Sequence, residues 1–165
     1  MANVKRKYNL PEIKDPAKKV YLPLYMNNFR VVGIIDSGAD ITIMQQSLFD
    51  KIMPPNEGEN RFLPSSINNI YSFSDHAIPV KGRVNWVVRL SPKHPGITLD
   101  IYIIPSNHNV PELLLGKDLL EAGLGTLGFR GEIQDPYPIV EFTYPTLFKC
   151  TTYHCLLYTS PSPRD

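Results

Sequence analysis

Val31-Val32-Gly33-Ile34-Ile35-Asp36-Ser37-Gly38-Ala39-Asp40-Ile41-Thr42-Ile43-Met44 is an apolar run broken by one short polar turn. The run delivers one acid, Asp36, into a tight Ser37-Gly38 turn, and a second apolar stretch leaves it. A carboxylate set in such surroundings is paired or used, because burying a lone one is costly. Gly38 lets the backbone turn and approach another chain or a ligand closely. The Ser37 hydroxyl can hold the turn. Asp-Ser-Gly is also ordinary turn chemistry, so the acid alone decides nothing. Only one such acid turn occurs in the chain.

Working outward, residues 20–26 mix β-branched, aromatic and Leu residues and predict a strand, with Pro23 suggesting an edge position. Asn27-Asn28 is a turn signal, residues 29–35 a second strand and residues 41–44 a third. Residues 46–53 predict a short helix with Leu48, Phe49 and Ile52 on one side, closed by Pro54-Pro55. Further on, residues 67–73 lead to a polar tip and residues 78–90 return from it. There Val84, Trp86, Val88 and Leu90 alternate with Arg83, Asn85, Val87 and Arg89, the period of a strand with one buried face. Leu99, Ile101 and Ile103 repeat the alternation. Leu113-Leu114-Leu115 is a buried run ending at Gly116, residues 117–122 predict a short helix stopped by Gly123, and residues 126–129 a short last strand. Many short strands with little helix indicate an all-β barrel or sandwich.

The ends carry less signal. Residues 1–19 read as a flexible leader. Residues 130–165 read as a tail or linker, partly disordered, because prolines at 136, 138 and 145 break up the one strand candidate at 139–144. The folded domain is thus expected over residues 20–129. One domain fits the 165-residue length. A formal charge of +1 lacks the basic footprint of a nucleic-acid binder, and no apolar run is long enough to span a membrane. Cys150 and Cys155 could pair, but a reduced, intracellular setting is the simpler reading. The four histidines have no ligand spacing, so neither a metal site nor a cofactor is expected.

The residues 34–40, Ile-Ile-Asp-Ser-Gly-Ala-Asp, resemble the active-site signature of retroviral-type aspartic proteases, the retropepsins. A second stretch, Leu113-Leu114-Leu115-Gly116-Lys117-Asp118-Leu119-Leu120, resembles that family's other hallmark, and Thr126-Leu127-Gly128-Phe129 resembles the strand that closes its dimer. The resemblance covers residues 20–129. It departs from the family in a longer segment between the hallmarks, in Lys117 where Arg is usual, and in a flap candidate, residues 70–76, without glycine.

The resemblance implies a retropepsin-like closed barrel with one short C-terminal helix, active as a two-fold homodimer on an extended polypeptide. It implies an aspartic endopeptidase that processes a retroelement polyprotein of which it is itself a part, within the cytoplasm or a virus-like particle. Two carboxylates in contact share one proton. One chain supplies one of them, Asp36, and a second copy the other. Ser37 and Gly38 would form the active-site turn. Gly38, Ala39, Asp40, Tyr71 and Phe73 would meet substrate, and Asp40 would pair with Lys117. The plainer readings are solvated surface charges for Asp40 and Lys117, and core positions for Tyr71 and Phe73. The rival function is a non-catalytic module that keeps the fold for dimerisation or peptide binding.

Overall fold

Val20, Leu22, Leu24 and Met26 alternate with half-buried neighbours along the first strand, β1 (Val20–Met26). Asn27 and Asn28 both take positive φ, 47° and 70°, which gives a two-residue hairpin turn the twist of its strands. β2 (Phe29–Ile35) therefore returns antiparallel, from Met26 opposite Phe29 to Val20 opposite Ile35. The computed structural model describes residues 20–53, 62–71, 76–106, 110–151 and 155–158. The expected leader, Phe73 and the last seven residues lie outside these.

The chain continues through β3 (Thr42–Gln45), α1 (Gln46–Ile52), β4 (Asn69–Tyr71), β5 (Ala77–Pro79), β6 (Gly82–Val88) and β7 (Ile97–Ile104). Then come β8 (Leu113–Leu115), α2 (Lys117–Ala122), β9 (Gly125–Glu132), β10 (Asp135–Phe142), β11 (Leu147–Thr151) and β12 (Cys155–Tyr158). Six strands form one sheet in the order β1-β2-β8-β3-β7-β6, four another in the order β12-β11-β10-β9, and β4 and β5 a separate hairpin. The expected closed barrel is a curled six-stranded sheet. One isolated bridge links β1 to the residue after β6, where Tyr25 and Arg89 exchange backbone hydrogen bonds of 2.8 and 3.1 Å. The architecture is mostly β, with two short helices among the described residues.

One insertion positions everything that follows. The three leucines of β8 are all buried, the pattern of a strand covered on both faces. β8 slides between the strands flanking the acid turn, parallel to β2 (Ile34 opposite Leu114) and antiparallel to β3 (Ile43 opposite Leu114). Fully burying one such side chain stabilises the fold by about 1.5–3 kcal/mol. Gly33 is what lets β8 pack here, since a Cβ on it would lie 2.8 Å from Leu115 Cδ1.

Two apolar clusters result. The larger fills the curl of the main sheet and includes Leu22, Phe49, Ile101 and Leu119. The smaller joins Ala39 and Ile43 to Ile70 and Ile78 of the β4–β5 hairpin. That hairpin is shorter than the sequence suggests, because residues 78–90 divide into two strands, β5 and β6.

Two expectations about the C-terminal region are overturned. Residues 130–151 are not a tail. Val140, Phe142, Phe148 and Cys150 are buried in the larger cluster, and the Phe142 and Phe148 rings lie 6.5 Å apart. The prolines are tolerated because β11 pairs with β10 only from Ile139 onward. Pro136 and Pro138 thus sit where β10 has one ladder neighbour, β9. The cysteines are not reduced either: Cys150 is disulfide-bonded, and the hairpin register sets it opposite Cys155. Among the described residues no helix is long and apolar enough to cross a membrane.

Candidate active site

Asp36 follows directly on β2, and its backbone N–H donates to the carbonyl of Leu115 at 2.9 Å. Its position is therefore set by the β2–β8 ladder and not by a free loop. The Gly38 N–H donates to Asp36 Oδ1 at 2.8 Å, and the Ala39 N–H donates to the Asp36 carbonyl at 3.1 Å. This is an Asp-closed turn, of the kind a short acidic side chain makes with its own backbone. Asp36 is 8% exposed, whereas Ser37 and Gly38 stand at the surface and Ala39 is buried.

The two hallmark stretches meet here. The Lys117 N–H donates to the Ala39 carbonyl at 2.7 Å. A Cβ on Gly116 would lie 2.5 Å from the Ile41 carbonyl oxygen and 2.8 Å from that of Ala39. Only glycine allows this approach of two backbones. The side chains tie the same two segments twice. Lys117 Nζ lies 3.4 Å from Asp40 Oδ1, with 53% and 52% of the side chains exposed. Deeper in, the Thr42 N–H donates to Asp118 Oδ2 at 2.9 Å, and the Thr42 hydroxyl donates to Asp118 Oδ1 at 2.7 Å. Thr42 Oγ1 in turn accepts from the Gly116 N–H at 3.2 Å, and Asp118 Oδ1 also accepts from the Leu119 N–H at 2.8 Å. Burial raises the Asp118 carboxyl above its ordinary value. The bonds from Thr42 and Leu119 oppose that shift, and the nearby Glu121 charge adds to it.

The expected ion pair between Asp40 and Lys117 thus forms, while the Thr42–Asp118 network was not foreseen. Its signal in the sequence is slight: a lone hydroxyl in the apolar stretch 41–44, and an acid at the opening of a short helix.

A cleft of about 620 Å³ opens beside the turn. Asp36, Ser37 and Lys117 line it on one side, and Leu127, Phe129 and Pro138 of the C-terminal sheet on the other. Gly38, Ala39, Asp40 and Tyr71, the residues expected to meet substrate, do not line this cleft. Tyr71 is half-buried at the end of β4, across the smaller apolar cluster, and Phe73 lies outside the described residues. The cleft therefore belongs to the C-terminal-sheet side of Asp36, and the β4–β5 hairpin to another side. Among the described residues no group of three His, Cys, Asp or Glu side chains is placed to hold a metal ion.

No protein-family model matches the chain, and no curated protein sequence does. Solved structures similar to it include retroviral and retropepsin-like proteases. EIAV protease complexed with the inhibitor HBY-793 is 14% identical, with a TM-score of 0.48 over 66% of this chain and 91% of that one. The retroviral protease-like domain of Ddi1 from Leishmania major is 14% identical, with a TM-score of 0.47 over 79% of this chain and 92% of that one. A retropepsin-like aspartic protease from Rickettsia conorii is 15% identical, with a TM-score of 0.46 over 76% of this chain and 92% of that one.

Proposed function

We propose that this chain is one half of an aspartic endopeptidase, completed by a second copy of itself. The observation that carries this reading is the placement of Asp36. Asp36 is fixed by the β2–β8 ladder at the end of β2, on the wall of a cleft whose other wall is an edge strand. One ionised carboxylate can take a proton from water. It cannot at the same moment hand one to the carbonyl that the water attacks. A second carboxyl, protonated and in contact with the first, completes the chemistry.

β9 ends the C-terminal sheet, so one of its edges has no ladder partner among the described residues. On it Leu127 is 38% and Phe129 65% exposed. A two-fold pairing along this edge would cover both side chains and bring the partner's acid turn toward Asp36. In the step itself the ionised Asp36 of one protomer accepts a proton as water adds to the peptide carbonyl. The protonated Asp36 of the other donates to the carbonyl oxygen. Collapse of the resulting diol returns a proton to the leaving nitrogen and breaks the C–N bond. Substrate would lie extended between the acid turns and the β4–β5 hairpins, with Gly38, Ala39, Asp40 and Tyr71 near it. Cleavage of a retroelement polyprotein is the role that suits this chemistry.

Asp36→Asn tests the reading, because it keeps the turn's Oδ1 acceptor and removes the charge from both halves of the site. The variant is expected to keep its circular dichroism spectrum and sedimentation behaviour and to lose peptide cleavage. Cleavage at an undiminished rate would refute the assignment. An inactive wild type that still dimerises and binds peptide would establish the non-catalytic module.

A further inference from the structure

His94 lies in the turn between β6 and β7 and has no part in the chemistry above. It is 2% exposed. The Gly96 N–H donates to its Nδ1 at 3.0 Å, and the His94 N–H donates to the Ser91 carbonyl at 3.1 Å. With Nδ1 accepting, the neutral ring carries its proton on Nε2. Among the described residues Nε2 has no partner, and neither does the buried hydroxyl of Ser91. The ring stands edge-on to Phe148 of β11, centroids 6.3 Å apart at 76°. His94 and Ser91 are therefore polar pieces in the seam where the β6–β7 turn packs on Phe148 of the C-terminal sheet.

From these contacts we infer that His94 is an acid-sensitive latch that loosens the packing of the β6–β7 turn on Phe148 of the C-terminal sheet when its imidazole takes up a second proton. Protonation puts a hydrogen on Nδ1, which then faces the Gly96 N–H donor to donor, so the bond that closes the turn is lost. Among the described residues no carboxylate makes a hydrogen bond or ion pair with His94. The charged groups nearest along the turn are the cations of Arg89 and Lys93. On β11 the neighbouring Lys149 pairs with Glu141, 3.8 Å away, on the face opposite Phe148. Burial, and after it the Arg89 charge, lowers the imidazole below its ordinary 6.5. A lowered value in the fold means stability that is complete above the unfolded histidine value and lost as pH falls through the folded one. β9 is part of the same C-terminal sheet and forms a wall of the Asp36 cleft.

The latch is independent of any catalytic role, and its test reads stability and local structure alone. Thermal unfolding of the full chain and of His94→Asn is followed from about pH 7.5 down to about pH 5. The Asn Oδ1 reproduces the Nδ1 acceptor without a proton to gain. The wild-type Tm is expected to fall by about 3 °C more than that of the variant over this range. Equal slopes would overturn the latch. Should the variant fail to fold, the wild type still decides: nuclear magnetic resonance of the His94 ring follows its titration alongside the Phe148 ring signals. Joint titration below the ordinary histidine range supports the latch, and an ordinary histidine midpoint with unmoved Phe148 signals refutes it.

Discussion

Asp40 and Lys117 meet at 3.4 Å with about half of each side chain in water. Thr42 and Asp118 meet at 2.7 Å with Thr42 wholly buried. Both ties join the same turn to the same helix, and they differ in what happens when one partner is removed. In the exposed pair water takes the missing partner's place, and such pairs are worth about 0–1 kcal/mol. In the deeper pair the donors left behind sit on buried Thr42, where less water can take the acceptor's place. An unsatisfied buried polar group costs about 1–3 kcal/mol. The ion pair that the sequence advertises is thus the weaker tie, and the pair it conceals is the stronger.

The comparison is most easily broken at Asp118. Asp118→Ala leaves the Thr42 N–H, the Thr42 hydroxyl and the Leu119 N–H without their acceptor. Urea unfolding should show a loss of about 3 kcal/mol, and a loss below about 1 kcal/mol would remove the distinction between the two ties. Thr42→Val keeps the shape and deletes the hydroxyl that bridges Asp118 and the Gly116 N–H. About 1–2 kcal/mol is expected by the same measurement. The pH dependence sharpens the contrast further. The Asp118 carboxyl is raised above 3.8, chiefly by burial, so the folded chain holds that proton more tightly than the unfolded one. Its contribution is present below the unfolded value and lost as pH rises through the folded one. Relative to Asp118→Asn, the wild type should therefore gain stability as pH falls into the carboxyl range. His94 works in the opposite direction, so the two are separable in one set of melting curves. The smallest effect belongs to Lys117→Gln, which should cost under about 1 kcal/mol and fade in high salt.

The sequence made the local elements readable and the distant contacts obscure. β1, β2 and α2 fall where the apolar alternation, the Asn27-Asn28 turn and Gly123 place them, because each is decided by neighbours a few residues away. β3 begins at Thr42, one residue later than the pattern suggests. The Ile41 carbonyl is still part of the turn against Gly116, a contact no local pattern records. Thr42 and Asp118 lie 76 positions apart, and their bond exists only because β8 inserts between β2 and β3. Residues 130–151 read as a tail for a related reason. Prolines at 136 and 138 argue against a central strand but are harmless where the ladder is one-sided, and only the register with β11 shows where that is. In the site, Asp36 and its turn were plain from the sequence, whereas the cleft was not. Its far wall is β9, and β9 is held there by strands that looked like tail.

In the proposed dimer Asp36 is half of a site shared by two copies. A mixing experiment addresses it most directly. Wild-type chain at fixed concentration is equilibrated with rising amounts of Asp36→Asn, and peptide cleavage is measured at mildly acid pH. With one acid turn per chain, each mixed dimer carries one ionisable Asp36 and should be inactive. The account predicts that activity falls toward zero as the variant reaches large excess. Activity that holds constant, however much Asp36→Asn is added, would contradict it.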